Sequence, residues 1–130
     1  MSDIIIYVDT SEVLEGKFDE LKQAVSNLVD FVNLNESRPL AYSFYFNDNH
    51  TRMTLVQIHP DAASLEHHMQ VAGSAFPGFK DFIRFLRIDI FGKTSDKLTE
   101  QLYRKVKMLG SGTIVFHELY AGFTRFPVKP

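Results

Sequence analysis

The 130-residue chain contains no cysteine, and this absence excludes several kinds of chemistry at once. Disulfide bonds, thiolate nucleophiles, iron–sulfur clusters and cysteine-ligated zinc sites all require cysteine. We therefore expect a protein of a reducing compartment, and hence a cytoplasmic one. Long apolar runs are also lacking, since none approaches the roughly 18 residues that cross a bilayer, and acidic Asp3 stands where a secretory signal would carry a basic residue. We expect no export by that route and no membrane partner.

An excess of charge of either sign is missing as well. Fourteen basic and sixteen acidic residues give a net charge of -2, and like charges do not form long blocks. A protein that binds a phosphate backbone needs a basic surface, so we expect no nucleic-acid partner. The five histidines show no H-E-x-x-H spacing, and His67 and His68 would diverge by about 100° on a helix. We expect no metal site.

The residues that are present are those of an ordinary globular domain. Hydrophobic residues make up 45% of the chain and charged residues 23%, and a chain of 130 residues has the usual length of one domain. We therefore predict a single domain over residues 1–130.

Periodicity predicts the order strand, helix, strand, strand, helix, strand. Period-2 alternation or short β-prone runs indicate the strands, and apolar positions spaced by three and four residues indicate the helices. The predicted strands are 3–9, 40–46, 52–58 and 85–91, and the predicted helices are 17–33 and 61–72. This order is the ferredoxin-like α+β fold, βαββαβ, with its core at 3–92. A further helix capped by Thr94 or Ser95 and a strand near 113–119 form an appended unit at 93–126.

One face of this predicted sheet has no helix to cover it. Twelve Phe and five Tyr are more apolar surface than a small sheet with helices on one side requires. A large exposed apolar face is usually an interface, and the simplest partner is a second copy of the chain. We predict a homodimer.

Four segments carry a pattern of residues found in a known family. They are GKFDEL at 16–21, VQIHPDAASLEHH at 56–68, IFGKTS at 90–95 and GFTR at 122–125. The second places a strand directly before an H-x-D-x-x-S-L-x-x-H helix. Together they resemble the antibiotic biosynthesis monooxygenase family of dimeric α+β barrels, over about residues 3–91 by element order and more loosely beyond.

The resemblance implies a pocket between sheet and helices in each subunit. Members of the family oxidise quinol-like or polycyclic phenols with molecular oxygen and no metal or flavin, or degrade haem. Haem degraders use an Asn, a Trp and a His, but this chain has no Trp and carries His68 at the position of that Trp. The resemblance therefore favours a cofactor-independent monooxygenase acting on a small aromatic or quinol-like ligand.

Three residues are the predicted catalytic set. His68 lies near the apolar stripe of its helix, and a neutral imidazole there could remove a phenolic proton; the alternative is a core histidine hydrogen-bonded to backbone. Tyr45 shares a strand face with Ala41 and Ser43, whose small side chains leave room for a cavity; the alternative is a tyrosine in the core or the dimer interface. Tyr7 stands on the first strand, where the phenol oxidisers carry an Asn, and would orient the substrate.

Two alternatives without catalysis share the same element order. An RNA-recognition module needs basic and aromatic residues on its third strand, and residues 52–56 do not supply them. A homodimer that binds a small molecule or is purely structural stays open. It differs from the enzyme because it would bind an aromatic ligand without consuming oxygen.

Overall fold

A computed structural model describes residues 3–126, which form three α-helices, one 3₁₀ segment and five strands. The strands are β1 (Ile5–Val13), β2 (Ala41–Phe46), β3 (Arg52–His59), β4 (Ile83–Phe91) and β5 (Thr113–His117). The helices are α1 (Phe18–Asn35), α2 (Ala62–Ala72) and α3 (Asp96–Leu109), and the 3₁₀ segment is Gly73–Asp81. The predicted α+β class and element order are confirmed.

The five strands form one sheet in the order β2-β3-β1-β4-β5. β1 is central and pairs antiparallel with β3 and β4, and β2 pairs antiparallel with β3. The β2–β3 turn is held by the Asn47 side chain, which accepts hydrogen bonds from the backbone N–H groups of Thr51 and Arg52. β5 runs parallel to β4, which requires the α3 crossover between them.

The helix ends lie where capping chemistry places them. Asp61 accepts a hydrogen bond from the backbone N–H of Ser64 at the start of α2, and Ser95 does the same for Leu98 at the start of α3. Gly110 ends α3 with a φ of 83°, a left-handed conformation that favours glycine. None of the helices in residues 3–126 combines the length and apolar character that crossing a bilayer requires.

Three strands differ from the sequence-based prediction in extent or register. β1 continues to Val13 instead of ending near residue 9, because both of its neighbours pair with it over that length. In β4 the register shifts opposite Thr10 and Ser11, so that Phe85 instead of Leu86 lies on the buried face. β5 ends at His117, and residues 118–126 leave the sheet as an exposed segment.

The two faces of the sheet have different surroundings. On the face that we call the core face, the alternate β1 residues Ile5, Tyr7, Asp9 and Ser11 are buried beneath the three helices. On the opposite face, which we call the open face, the intervening residues are only partly buried. These include Ile6, Val8, Val56 and Ile58.

Candidate functional site

Three polar side chains meet in the interior between the centre of the core face and α3. Tyr7 and Asp9 come from β1, Lys105 comes from α3, and none is more than 4% exposed. The Lys105 ammonium donates a hydrogen bond to the Tyr7 hydroxyl at 2.7 Å, and that hydroxyl donates to Asp9 Oδ2 at 2.6 Å. Lys105 Nζ also lies 3.5 Å from Asp9 Oδ2. We call this arrangement the Tyr7–Asp9–Lys105 cluster.

Burial shifts the pKa of each member of the cluster. Desolvation raises the pKa of Asp9, and the positive charge of Lys105 opposes that rise. Desolvation likewise lowers the pKa of Lys105 against the stabilising charge of Asp9, and burial together with Asp9 raises the pKa of Tyr7. Asp9 therefore takes up a proton at a higher pH than an ordinary aspartate, and Lys105 loses its proton at a lower pH than an ordinary lysine.

A small cavity of about 30 Å³ lies against this cluster. Its polar lining comes from Asp9, Ser11, Tyr42 and Lys105, and most of its other walls are apolar. The aromatic residues in those walls are Phe44, Phe76, Phe79 and Phe85. The Ser11 and Tyr42 hydroxyl groups are buried and have no hydrogen-bond partner in the protein. Both hydroxyls are thus free to bind a ligand that enters the cavity.

His68 lies behind the cavity wall, where it is fully buried. Its Nδ1 is 2.8 Å from Glu36 Oε2, and that carboxylate is also buried. The ring packs edge-to-face against Tyr42 at a centroid distance of 5.1 Å, but it does not line the cavity. Burial lowers the pKa of His68 although Glu36 opposes the shift. His68 is thus on the buried side of α2 without reaching the cavity, and its hydrogen-bond partner is a carboxylate instead of backbone.

His59 is the second buried histidine and has a complete set of partners. Its Nδ1 lies 2.7 Å from the Ser64 hydroxyl and its Nε2 lies 2.8 Å from Gln57 Oε1. Since an amide oxygen only accepts, Nε2 carries the hydrogen and Nδ1 accepts from Ser64. Burial lowers the pKa of His59 to about 3. His59 is a neutral structural residue that ties β3 to α2.

Tyr45 does not face the cavity, so that prediction is wrong. Its side chain is 58% exposed and lies on the open face, whereas Tyr42 on the core face lines the cavity. The small neighbours Ala41 and Ser43 belong to the open face and do not line this cavity. Tyr7, the third predicted residue, is buried inside the cluster and touches Asp9 and Lys105 without lining the cavity.

None of the four residues that form the polar lining of the cavity was in the predicted catalytic set. Asp9 and Ser11 occupy alternate positions of β1 that continue the buried positions of Ile5 and Tyr7, so their polarity on a buried face was a readable signal. Lys105 lies seven residues after Leu98, on the same face of α3, and is buried, whereas its neighbour Val106 is only partly buried. Tyr42 shares its face with Phe44.

The remaining charged groups on the sheet are paired with one another. On the open face the Arg87 guanidinium donates two hydrogen bonds to Asp89, and His117 Nε2 lies 2.8 Å from the same carboxylate. The guanidinium lowers the pKa of Asp89. Between residues 3 and 126, no three His, Asp or Glu side chains are close enough together to hold a metal ion.

Solved structures with the same fold include proteins described as "putative antibiotic biosynthesis monooxygenase". MupZ from Pseudomonas fluorescens superposes with a TM-score of 0.74 at 18% identity, covering 96% of this chain and 91% of MupZ. A "putative antibiotic biosynthesis monooxygenase" from Caulobacter crescentus superposes with a TM-score of 0.62 at 17% identity, covering 72% of this chain and 92% of that one. The protein of the same description from Deinococcus radiodurans has a TM-score of 0.59 at 12% identity, with 70% and 93% covered.

These matches differ in how much of the chain they cover. The MupZ match covers nearly the whole chain, whereas the other two leave more than a quarter of it unmatched. No family model and no curated protein matches the sequence. The structural matches confirm the predicted resemblance at the level of the fold: the chain has the α+β fold of the proteins described as antibiotic biosynthesis monooxygenases.

Proposed function

We propose that the protein binds a hydroxylated aromatic small molecule in the cavity and promotes its oxidation by molecular oxygen without a bound cofactor. The observation that carries this proposal is the Tyr7–Asp9–Lys105 cluster, a buried acid–base group beside a cavity with aromatic walls. The descriptions of proteins with the same fold support the choice of reaction. An electron-rich phenolate can reduce oxygen directly, so the protein needs to bind, desolvate and deprotonate it.

Each residue of the site has a distinct task in this proposal. Asp9 is the base, because its carboxylate lines the cavity and its raised pKa favours proton uptake. Lys105 stabilises the substrate oxyanion from within a site of low dielectric. The unpartnered hydroxyls of Ser11 and Tyr42 hold the substrate oxygen, and Tyr7 is a positioning residue for Asp9 and Lys105.

The proposed reaction is balanced without an added reductant. Asp9 takes the phenolic proton, and the phenolate transfers one electron to oxygen to form a substrate radical and superoxide. These combine at the ring carbon opposite the oxygen to form a peroxide, which takes up a proton. Loss of the remaining hydrogen at that carbon breaks the O–O bond, leaves a carbonyl and releases water. Overall, one phenol and one O2 give one quinone and one water, so that one oxygen atom of O2 enters the quinone and the other enters the water.

His68 acts through Tyr42 in this scheme instead of removing the proton itself. The Glu36 carboxylate fixes the imidazole, and the imidazole packs against the Tyr42 ring at 5.1 Å. Tyr42 in turn presents its hydroxyl to the cavity. We therefore assign the Glu36–His68 pair a positioning role, which weakens binding when it is lost but leaves the base in place.

Oxygen uptake tests the proposal directly. An oxygen electrode measures uptake by the purified protein with 1-naphthol and a panel of other polycyclic phenols and quinols, for the wild type, Asp9→Asn and His68→Ala. We expect saturable uptake that Asp9→Asn lowers by about 100-fold or more, while His68→Ala mainly raises KM. Asp89→Asn is the matched control, because it makes the same substitution on the open face, and we expect it to leave uptake unchanged.

The other outcomes are equally informative. Loss of uptake in His68→Ala with normal uptake in Asp9→Asn would assign the base to His68. Saturable binding of 1-naphthol with no uptake above a protein-free control would identify a non-catalytic ligand-binding protein. With Asp9 as base, log(kcat/KM) rises with pH through a pKa above that of an ordinary aspartate and falls again as Lys105, whose pKa is lowered, loses its proton.

The partner of the open face is, in the same proposal, a second copy of this chain. Ile6, Val8, Val56 and Ile58 form a contiguous apolar patch on that face and are only partly buried. Light scattering is expected to give twice the chain mass of 14.9 kDa. Val8→Glu places a charge in the patch and should yield monomers, whereas Asn27→Glu on exposed α1 should not. A monomeric wild type would contradict this part of the proposal.

A further inference from the structure

The cavity at the cluster is far smaller than the substrates that the proposed function requires. Its 30 Å³ has room for about one water molecule, whereas sites for drug-sized ligands usually measure about 300–1,000 Å³. A bicyclic phenol therefore cannot enter this cavity unless the cavity connects with a neighbouring groove or cavity. One side chain in the cavity wall must therefore move to admit the substrate.

A second, larger space lies directly outside one wall. It is a groove of about 460 Å³ between α1 and the 3₁₀ segment. Its lining is mainly apolar, with Phe31, Ala75 and Phe82 among its walls and Asn27 and Ser74 as polar members. The groove is on the helical side of the molecule, away from the open face of the sheet.

Two side chains belong to both spaces. Leu28 of α1 and Phe79 of the 3₁₀ segment each line the cavity and the groove, so they form the partition between them. Leu28 sits on a long regular helix, but Phe79 sits on a 3₁₀ segment, whose hydrogen-bond geometry is poorer than that of an α-helix. The space around Gly73 and Gly78 in that segment is open, since a side-chain carbon added to either glycine would meet no atom within 4 Å. Phe79 is the side chain best placed to move.

We propose that the cavity and the groove are two parts of one substrate-binding site, separated by Leu28 and Phe79, of which Phe79 moves to join them. The polar cavity takes the hydroxyl-bearing ring and the groove takes an extended apolar part of the same molecule, an assignment that rests on the proposed function. The substrate class is then an amphipathic aromatic compound with one polar end. Phe79 sets how large the apolar part can be, which makes it a specificity-determining residue.

The absence of native cysteine allows this connection to be measured without any enzymatic activity. Ser11→Cys is nearly isosteric and places a single thiol in the cavity wall. Its rate of modification by methyl methanethiosulfonate and by the bulkier pyrenyl maleimide is measured in three backgrounds. Phe79→Ala truncates one of the two partition side chains, Ala75→Trp fills the groove, and Phe85→Ala makes the same truncation in a cavity wall that the groove does not share.

We expect Phe79→Ala and Ala75→Trp to change the rate of thiol modification in opposite directions. Phe79→Ala should raise the rate of modification at position 11 by about tenfold or more, with the larger gain for the bulkier reagent, and Ala75→Trp should lower it. Phe85→Ala should show no comparable gain once rates are compared at equal free energy of unfolding, set with urea. Equal acceleration by Phe79→Ala and Phe85→Ala, or no slowing by Ala75→Trp, would overturn the proposal. Because no turnover is involved, these results stand whether or not the protein consumes oxygen.

Discussion

His59 and His68 are neighbouring buried histidines with opposite hydrogen-bond status. Their ring centroids are 6.2 Å apart and both are fully buried, and burial lowers the pKa of each. Both nitrogens of His59 have neutral partners, whereas His68 has one carboxylate partner and a buried Nε2 with none. Their surroundings differ as well. His59 joins β3 to α2 through Gln57 and Ser64, whereas His68 packs against Tyr42, which lines the cavity.

This difference separates polar groups that specify the fold from polar groups that are kept for a ligand. A buried polar group with all its partners stabilises one arrangement of strand and helix, while an unpartnered one costs free energy until something binds it. Ser11 and Tyr42 share the second condition with His68. Gln57 Nε2, on the residue that partners His59, is buried without a partner as well, so an unpartnered group marks the ligand side only where its residue also lines the cavity, as Ser11 and Tyr42 do.

The largest effect is expected from breaking the buried ion pair. Lys105→Met leaves the Asp9 carboxylate buried without its cation, and such changes usually lower the free energy of unfolding by about 3–5 kcal/mol. The folded-state pKa of Asp9 then rises further, so the loss is full at pH 8, shrinks as the pH falls through that raised pKa, and is smallest near and below the ordinary aspartate pKa, where Asp9 is increasingly neutral in both states. Urea unfolding at pH 8 and pH 4 measures both values.

A double variant checks that the effect comes from the unpaired charge. Asp9→Leu combined with Lys105→Met removes both charges and should recover most of the lost stability. If the double variant is as unstable as Lys105→Met alone, lost packing and not the uncompensated carboxylate explains the result.

A smaller effect is expected from acid acting on His59. Its folded-state pKa of about 3 lies below the ordinary value of 6.5, so the unfolded chain binds the proton first and stability falls as pH drops through that window. Linkage predicts a contribution about 2 kcal/mol smaller at pH 5 than at pH 7. The raised pKa of Asp9 makes stability rise as the pH falls, which opposes the effect of His59. The quantity to measure is therefore the difference in free energy of unfolding between the wild type and His59→Gln at each pH. Parallel pH profiles of the two would contradict the prediction.

The smallest effects sharpen the contrast between partnered and unpartnered hydroxyls. Ser64→Ala removes a hydroxyl that His59 uses and should lower the free energy of unfolding by about 1–2 kcal/mol. Tyr42→Phe removes a buried hydroxyl that has no partner and should leave stability unchanged or raise it by up to about 1 kcal/mol. Thermal unfolding of both variants without ligand makes the comparison, and a clear loss of stability in Tyr42→Phe would contradict it.

Much of the fold could be predicted because its signals are local. The stripe Leu21, Val25, Leu28 and Val32 follows the helical period, and all four are buried. Asp61 and Gly110 act at helix ends through contacts within a few residues. The candidate site was harder, because the contacts that define it are distant in sequence.

Strand periodicity alone also leaves one choice open. It shows that Tyr42 and Tyr45 lie on opposite faces of β2, but it does not say which face the helices will cover. The size of the neighbouring side chains pointed to Tyr45, yet burial depends on where α1 and α2 pack. Packing covered the face of Tyr42, Phe44 and Phe46.

The sequence by itself determined the element order, the helix caps and the alternation that made a two-faced sheet, since each depends on residues close together in the chain. Only the tertiary structure decided that Lys105 reaches Tyr7 across 98 positions and that Glu36 reaches His68 across 32. It also decided the register shift that turned Phe85 inward. These contacts arise when helices pack on a sheet with a particular register, and no local period encodes that packing.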